Sequence, residues 1–491
     1  MRTCYVITAT NQAPSAQTIC RDAQSVLDLI VSSVRMHRRL LEILVIELME
    51  QYILKRVTYV VSAKNICRYG TPPALRLYSD IVIVPLVLCA MVAGCSNLRG
   101  PRVWRDTGPE VPDLSVLDTT MRDFMVSRKV SAGALAITYK SRLVFARGYS
   151  WTRESSPAAN PDALFRIASL SKPVTSAAVL KLIEDAKLEL DEKVIDILPF
   201  GCPEGQYPDP NLKEVTILHL LQHLGGWDRS ESFDPMFYDK TISQALDAPL
   251  PISHADIITF MNGQPLQYEP GTRYAYSNYG YCLLGRVIEQ RSGMAYEDYV
   301  KKKVLLPLGI TGMKLGCSKL DDRMPGEVTY ESKRGGVYGA FNLENMDSHG
   351  GWLAAAPELA RFAAAFDKPR DCPILSAESI ETMFALAETI APDKYERGER
   401  YYACGWSVRD FGSDWRHTWH TGSLPGCYTF MARWSSGVNC VVLFNKRGDG
   451  FSEIDRLLSK AAKSVTAWPE HDLFSEMLQM REPLVSGPST K

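Results

Sequence analysis

The chain has almost no net charge: 55 Lys and Arg stand against 56 Asp and Glu over 491 residues. A balance of -1 gives no argument for nucleic acid or for a strongly charged partner. None of the 12 cysteines forms a Cys-x-x-Cys pair, so the spacing signal of a zinc ribbon or dithiol redox centre is missing. No Gly-x-Ser-x-Gly occurs, which removes the signature of an α/β-hydrolase. No apolar run reaches the roughly 20 residues that a membrane helix needs. No internal repeat or low-complexity tract stands out. What remains is an ordinary apolar fraction of 46%, typical of globular chains. The length exceeds one average domain, and one large α/β domain with appendages fits it.

The first 80 residues differ from the rest. Basic residues exceed acidic ones there, apolar periodicity is patchy, and Glu42, Glu47 and Glu50 interrupt the helical stretch Leu40 to Leu54. One expectation is that part of this segment is an over-extended translation start. Residues 81–94 are uncharged and mostly apolar, the length of a signal-peptide core, with Arg68 and Arg76 upstream. Val92-Ala93-Gly94-Cys95-Ser96 resembles a bacterial lipobox, where cleavage before the cysteine exposes it for lipid attachment. Asp80 and the long leading segment oppose this reading, and a buried strand or short helix is its bland alternative. The expectation is export, periplasmic or membrane-anchored through Cys95. If 81–95 is not a signal, the protein is cytoplasmic. Of the cysteines, five precede residue 96 and seven follow it, so at least one later thiol is unpaired within the chain.

Residues 96–114, with Gly100, Pro101, Gly108, Pro109 and Pro112, read as a linker. Leu117 to Ser127 reads as a helix. Ala132 to Tyr139 and Leu143 to Tyr149 read as a hairpin about Lys140-Ser141-Arg142. From Leu188 to about residue 400 the pattern is helical and loop-rich. Strand patterns return at Tyr402–Val408, Arg416–Thr421, Tyr428–Trp434 and Cys440–Phe444, and Phe451 to Val465 is an amphipathic helix. The tail at 466–491 is weakly patterned. The fold class is therefore α+β, an α/β sandwich: one antiparallel sheet flanked by helices, with an inserted all-helical lobe and a site where they meet.

Chemistry centres on Phe165-Arg166-Ile167-Ala168-Ser169-Leu170-Ser171-Lys172. Three residues apart on a helix, Ser169 and Lys172 share a face, roughly 5–6 Å between Cβ atoms. A serine hydroxyl needs a base to become a nucleophile, and a lysine is that base when burial lowers its pKa. Alone, Ser-x-x-Lys is weak and describes any capped helix start. Tyr276 and Asn278 flank one residue and project to one side if the stretch is extended. A phenol beside a lysine shuttles protons if its pKa falls, and an amide both donates and accepts. In His420-Thr421-Gly422-Ser423, the glycine permits close approach and the Ser423 N–H is placed as an oxyanion donor. His417 and His420 make a weak metal pair without a third ligand. His223 reads as a structural, hydrogen-bonded histidine.

Taken in order, Ser169-x-x-Lys172, Tyr276-Ser277-Asn278 and His420-Thr421-Gly422 resemble the three motifs of the class C β-lactamase and penicillin-binding-protein-like serine hydrolases. Leu220-Leu221-Gln222-His223, Glu269-Pro270-Gly271, Pro307-Leu308-Gly309 and Gly350-Gly351-Trp352 fit as well, and the resemblance covers roughly 115–465. It implies that Ser169 attacks a carbonyl, that Lys172 and Tyr276 move its proton, and that Asn278 orients lysine and substrate. It also implies an oxyanion held by the N–H groups of Ser169 and Ser423, and no metal or cofactor. The third motif begins with His420 where a lysine is usual. A mostly neutral histidine favours esters, amides or peptides lacking the carboxylate of a β-lactam. The expected partner is a small-molecule or peptide ester or amide. The alternatives are β-lactamase or D-Ala-peptidase activity, and a non-catalytic cell-wall or partner-binding module that kept the fold.

Overall fold

The computed structural model describes residues 102–476, apart from 155, 199–200, 333–336, 389–394 and 413–415. The segment at 1–80, the signal-like run with Cys95, residues 96–101 and residues 477–491 lie outside the described residues.

The hairpin forms as its pattern predicts, from β2 (Ala132–Tyr139) and β3 (Arg142–Thr152), with β1 (Val103–Thr107) beside β3. Tyr139 pairs with Arg142 across the two-residue loop Lys140-Ser141, and both loop residues have positive φ, 50° and 66°. That is the turn whose twist matches a hairpin. Two short strands, β4 (Phe165–Arg166) and β6 (Trp352–Ala354), pair with each other, and β5 (Lys314–Leu315) completes a small three-stranded sheet. The C-terminal strands are β7 (Arg400–Tyr402), β8 (Ser407–Asp410), β9 (Arg416–Leu424), β10 (Cys427–Trp434) and β11 (Val438–Phe444). Among the described residues, eight strands make one antiparallel sheet in the order β1-β3-β2-β11-β10-β9-β8-β7. The β2–β11 pair, from Gly133↔Phe444 to Tyr139↔Val438, joins the two ends of the fold.

Alternation along the strands divides the core. Leu135, Ile137, Phe430 and Val442 face one way, against Leu117, Met121 and Phe124 of α1 (Ser115–Arg128) and Ile454 and Leu458 of α5 (Glu453–Ser464). Ala134 and Ala136 face the other way, under Ala356, Ala360 and Ala363 of α4 (Ala356–Ala364). Between β3 and β7 lie α2 (Ser171–Glu184), α3 (Asn278–Ser292) and the shorter helices of the insert. Helix α2 is buried on nearly every side, which explains why its apolar residues run continuously rather than in a stripe.

Three stretches depart from the sequence reading. Within the linker, Val103–Thr107 forms an edge strand, with Trp104 set 5.8 Å from Tyr149 between ring centroids. The Gly-Pro pairs that suggested a linker bracket the strand. The stretch 402–408 is two strands, not one, because Ala403–Trp406 reverses the chain around Gly405 at φ +83°. A Cβ there would stand 2.4 Å from Ser176 Oγ. In the tail, Trp468 stacks on Tyr139 at 4.9 Å and Leu473 and Phe474 are buried.

Candidate active site

Strand β4 delivers the chain to a tight turn, Ala168–Leu170, which runs directly into α2. Ala168 has φ +48°, a left-handed conformation that a residue with a Cβ rarely adopts. Its neighbours hold it there. Ile167 N–H donates to Trp352 O at 3.0 Å, Thr429 Oγ1 donates to Ile167 O at 2.8 Å, and Ser171 Oγ donates to Ala168 O at 2.8 Å. Ser169 is left half-buried at the start of the helix, with Lys172 one turn on and fully buried.

Lys172 Nζ meets three oxygens: Ser169 Oγ at 3.3 Å, Asn278 Oδ1 at 2.7 Å and His349 O at 3.0 Å. Burial lowers its pKa well below the ordinary lysine value; Asp234 opposes this and Arg229 adds to it. The amine is thereby driven toward its neutral form, which has two N–H donors and one lone pair. The carbonyl oxygens of Asn278 and His349 can only accept. They take both donors, which leaves the lone pair for the Ser169 hydroxyl.

Asn278 is the first residue of α3, and Ser277 caps that helix by accepting from Gly280 N–H. Its Nδ2 donates to Asp234 Oδ2 at 2.6 Å. A carboxylate cannot donate, so this contact fixes which way the amide faces. Asp234 was not legible as a site residue. Its sequence signal was only that of an Asp before Pro235, where it also accepts from Met236 N–H. Tyr276 lies with Lys172 Nζ 4.8 Å from its ring centroid and lines the same cleft as Ser169. Burial raises its pKa, with smaller opposing effects from Ser169 and Arg229. The phenol's pKa therefore does not fall, contrary to the condition that the sequence reading attached to it.

Strand β9 forms the opposite wall. His420 Nδ1 donates to Thr421 O at 2.7 Å, so in the neutral ring Nε2 accepts from Tyr402 O–H at 3.0 Å. Burial, then Lys172, lowers the His420 pKa to about 3; the Thr421 bond opposes this and Arg400 adds to it. A mild pH drop therefore does not charge His420. His417 bonds Ser435 Oγ at 2.7 Å, away from His420's partners. A Cβ on Gly422 would stand 2.3 Å from Ile167 O and 3.1 Å from Ser169 N, so only glycine lets β9 press on the turn that carries Ser169. Strand β8 pairs with β9 only over Arg416–Trp419. Residues 420–424 are free of it along that edge, where Ser423 lies.

These walls enclose a cleft of about 530 Å³ lined by Ser169, Tyr276, Asn278, His420, Thr421 and Ser423. It also holds three cations that the sequence reading did not identify, Arg229, Arg400 and Arg447. Among the described lining residues none is acidic. The arginines reach the cleft from three distant parts of the chain, and no motif joins them.

An antiparallel sheet flanked by helices is the fold of penicillin-binding-protein-like serine hydrolases. The chain belongs to the Beta-lactamase family, whose profile matches residues 117–463. It is 32% identical over 221 residues to a putative fimbrial assembly protein FimD, serogroup D, of Dichelobacter nodosus, covering 43% of this chain and 50% of that one. It is 28% identical over 356 residues to penicillin-binding protein 4* of Bacillus subtilis (strain 168), covering 68% and 70%. The octameric penicillin-binding protein homologue of Pyrococcus abyssi superimposes with a TM-score of 0.58 at 25% identity, over 76% of this chain and 82% of that one. The chain thus spans about half the length of some curated relatives that it matches. Among the described residues no helix is long and apolar enough to cross a membrane.

Proposed function

We propose that this protein is a serine hydrolase that cleaves an ester or amide through an acyl-enzyme on Ser169. The observation that carries the reading is the buried Lys172 amine, with both its donors occupied and Ser169 Oγ 3.3 Å away. Lys172, driven neutral by burial, takes the hydroxyl proton as Oγ bonds to the substrate carbonyl carbon. Tyr276 stays a phenol and passes a proton to the leaving group, recovering one from Lys172. Charge on the tetrahedral oxygen falls to the N–H groups of Ser169 and Ser423, which Gly422 allows to converge. Loss of the leaving group gives the acyl-enzyme. Water then releases the acyl group by the same proton path in reverse.

The arginines favour a second reading of the substrate. His420, being neutral, offers no cation, but Arg229, Arg400 and Arg447 line the same cleft. A carboxylate-bearing peptide or β-lactam is then as well received as a neutral ester. The relative named as a penicillin-binding protein supports the same class. A panel of a neutral short-chain ester, a D-amino acid amide, a carboxylate-ended peptide and a cephalosporin separates the readings. Turnover of none of them, with no acylation of Ser169, removes the enzyme and leaves the binding module. We also infer export with attachment at Cys95. Fractionation of cells expressing wild type and Cys95→Ala tests this, and cytosolic, unmodified protein in both contradicts it.

A further inference from the structure

His223 sits in the sequence Leu220-Leu221-Gln222-His223-Leu224, which the proposed chemistry does not use. Its setting is unusual for a histidine that only fills space. It is 2% exposed and adopts φ +59°, a left-handed conformation in which His, Asn and Asp are enriched over other side chains. From there it grips the tyrosine motif on both sides. Ala275 N–H donates to the His223 carbonyl at 2.9 Å, and Ser277 N–H donates to its Nδ1 at 3.2 Å. Tyr276 is the residue between them. The imidazole also lies against the Tyr276 ring, centroids 4.3 Å apart.

The remaining contacts keep the imidazole in one state. Nδ1 accepts, so the ring proton is on Nε2. That nitrogen is buried without a hydrogen-bond partner among the described residues. Tyr402 and Tyr281 pack on the ring at 4.5 Å and 5.1 Å, and Tyr281 O–H reaches back to Leu221 O at 2.8 Å. A second proton would remove the acceptor that Ser277 uses, in a pocket that already faces Lys172, His420 and Arg229. A buried polar nitrogen left unpaired is costly. An apolar residue of similar shape would avoid that cost but could not accept from Ser277.

We propose that His223 is a positioning residue for Tyr276. Its carbonyl and Nδ1 hold the backbone on either side of the tyrosine, and its ring sets the plane against which the phenol lies. The inference rests on Tyr276 taking part in proton transfer, so its test separates the two. His223→Leu removes the acceptor, and His223→Asn restores one near Nδ1 in a residue that tolerates positive φ. With a turned-over ester, His223→Leu is expected to lower kcat at least tenfold with KM within about threefold. His223→Asn should recover most of the loss, and thermal unfolding confirms that each variant folds. Tyr276→Phe and the double variant His223→Leu/Tyr276→Phe complete a cycle. If His223 acts through Tyr276, the double variant is no slower than Tyr276→Phe alone.

A slow Tyr276→Phe with a fully active His223→Leu overturns the positioning role and leaves the tyrosine's role intact. Additive losses, or a folded His223→Asn as slow as His223→Leu, also overturn it. A fully active Tyr276→Phe overturns the tyrosine's role, and the inference with it.

Discussion

At the scale of residues, burial divides the work between two titratable groups. It lowers Lys172 and raises Tyr276, which supports the proposed assignment of the lysine as base and the phenol as relay. Ser169→Ala should abolish acylation, whereas Lys172→Ala and Tyr276→Phe should each reduce the rate by roughly 10²–10⁴, the scale of acid–base groups. Asp234 pulls the Lys172 pKa upward. Removing that charge in Asp234→Asn keeps an acceptor for Asn278 and should move the acid limb of the kcat/KM profile to lower pH. An upward shift in that profile would contradict the assignment of Lys172 as the base. His420→Lys tests the substrate side. It should raise kcat/KM for carboxylate-bearing β-lactams relative to neutral esters, the latter staying within about tenfold. Wild type should show no change in that ratio between pH 7 and 6 that is traceable to His420, whose pKa is about 3. Ser169, Lys172, Tyr276, Asn278 and His420 were legible because they stand in short motifs. Asp234 and Tyr402 were not, because each acts through a contact with a residue far along the chain, and the cleft arginines were not, because no motif joins them.

At the scale of elements, two contacts hold the lysine's surroundings together. Helix α3 supplies Asn278 at its first position and Arg286 two turns later. Arg286 pairs with buried Asp347 at 2.6 Å, two residues before His349, whose carbonyl is the other acceptor for Lys172. Strand β9 makes the second contact, through Gly422. Gly422→Ala would push a methyl against Ile167 O and toward Ser169 N, both backbone atoms that cannot swing away. A loss of kcat/KM of about 10² or more is expected, because a misplaced nucleophile by 1 Å carries that order of effect. Activity within twofold of wild type would show that β9 does not set the nucleophile. The strong helices and the β2–β3 hairpin were readable from periodicity. The edge strand β1 was not, since a five-residue strand between Gly-Pro pairs gains its stability from Trp104 on Tyr149 and from β3 rather than from its own pattern.

At the scale of the molecule, the β2–β11 pair joins chain segments that the whole insert separates, and the sequence showed this only as similar strand patterns at both ends. Buried charge then sets the acid stability of the assembly. Burial disfavours the ionised form of Asp347, but His254 and Arg286 outweigh it and hold the carboxyl well below the usual range. A depressed carboxyl contributes stability that is present above its unfolded value, near 4, and is lost as pH falls from there toward its folded value. Asp347→Asn should lower stability at pH 7 by about 1–3 kcal/mol, less than for a fully orphaned charge, since buried Arg286 loses Asp347 but keeps Glu289. Denaturant melts at pH 7 and pH 3 check this, and the gap between wild type and variant should narrow at the lower pH. The central claim is the covalent intermediate. Intact mass spectrometry of the full chain after exposure to a fluorophosphonate, followed by peptide mapping, tests it most directly. The account predicts one adduct per chain, on Ser169, absent in Ser169→Ala. An adduct on another residue, or equal labelling of Ser169→Ala, would contradict it.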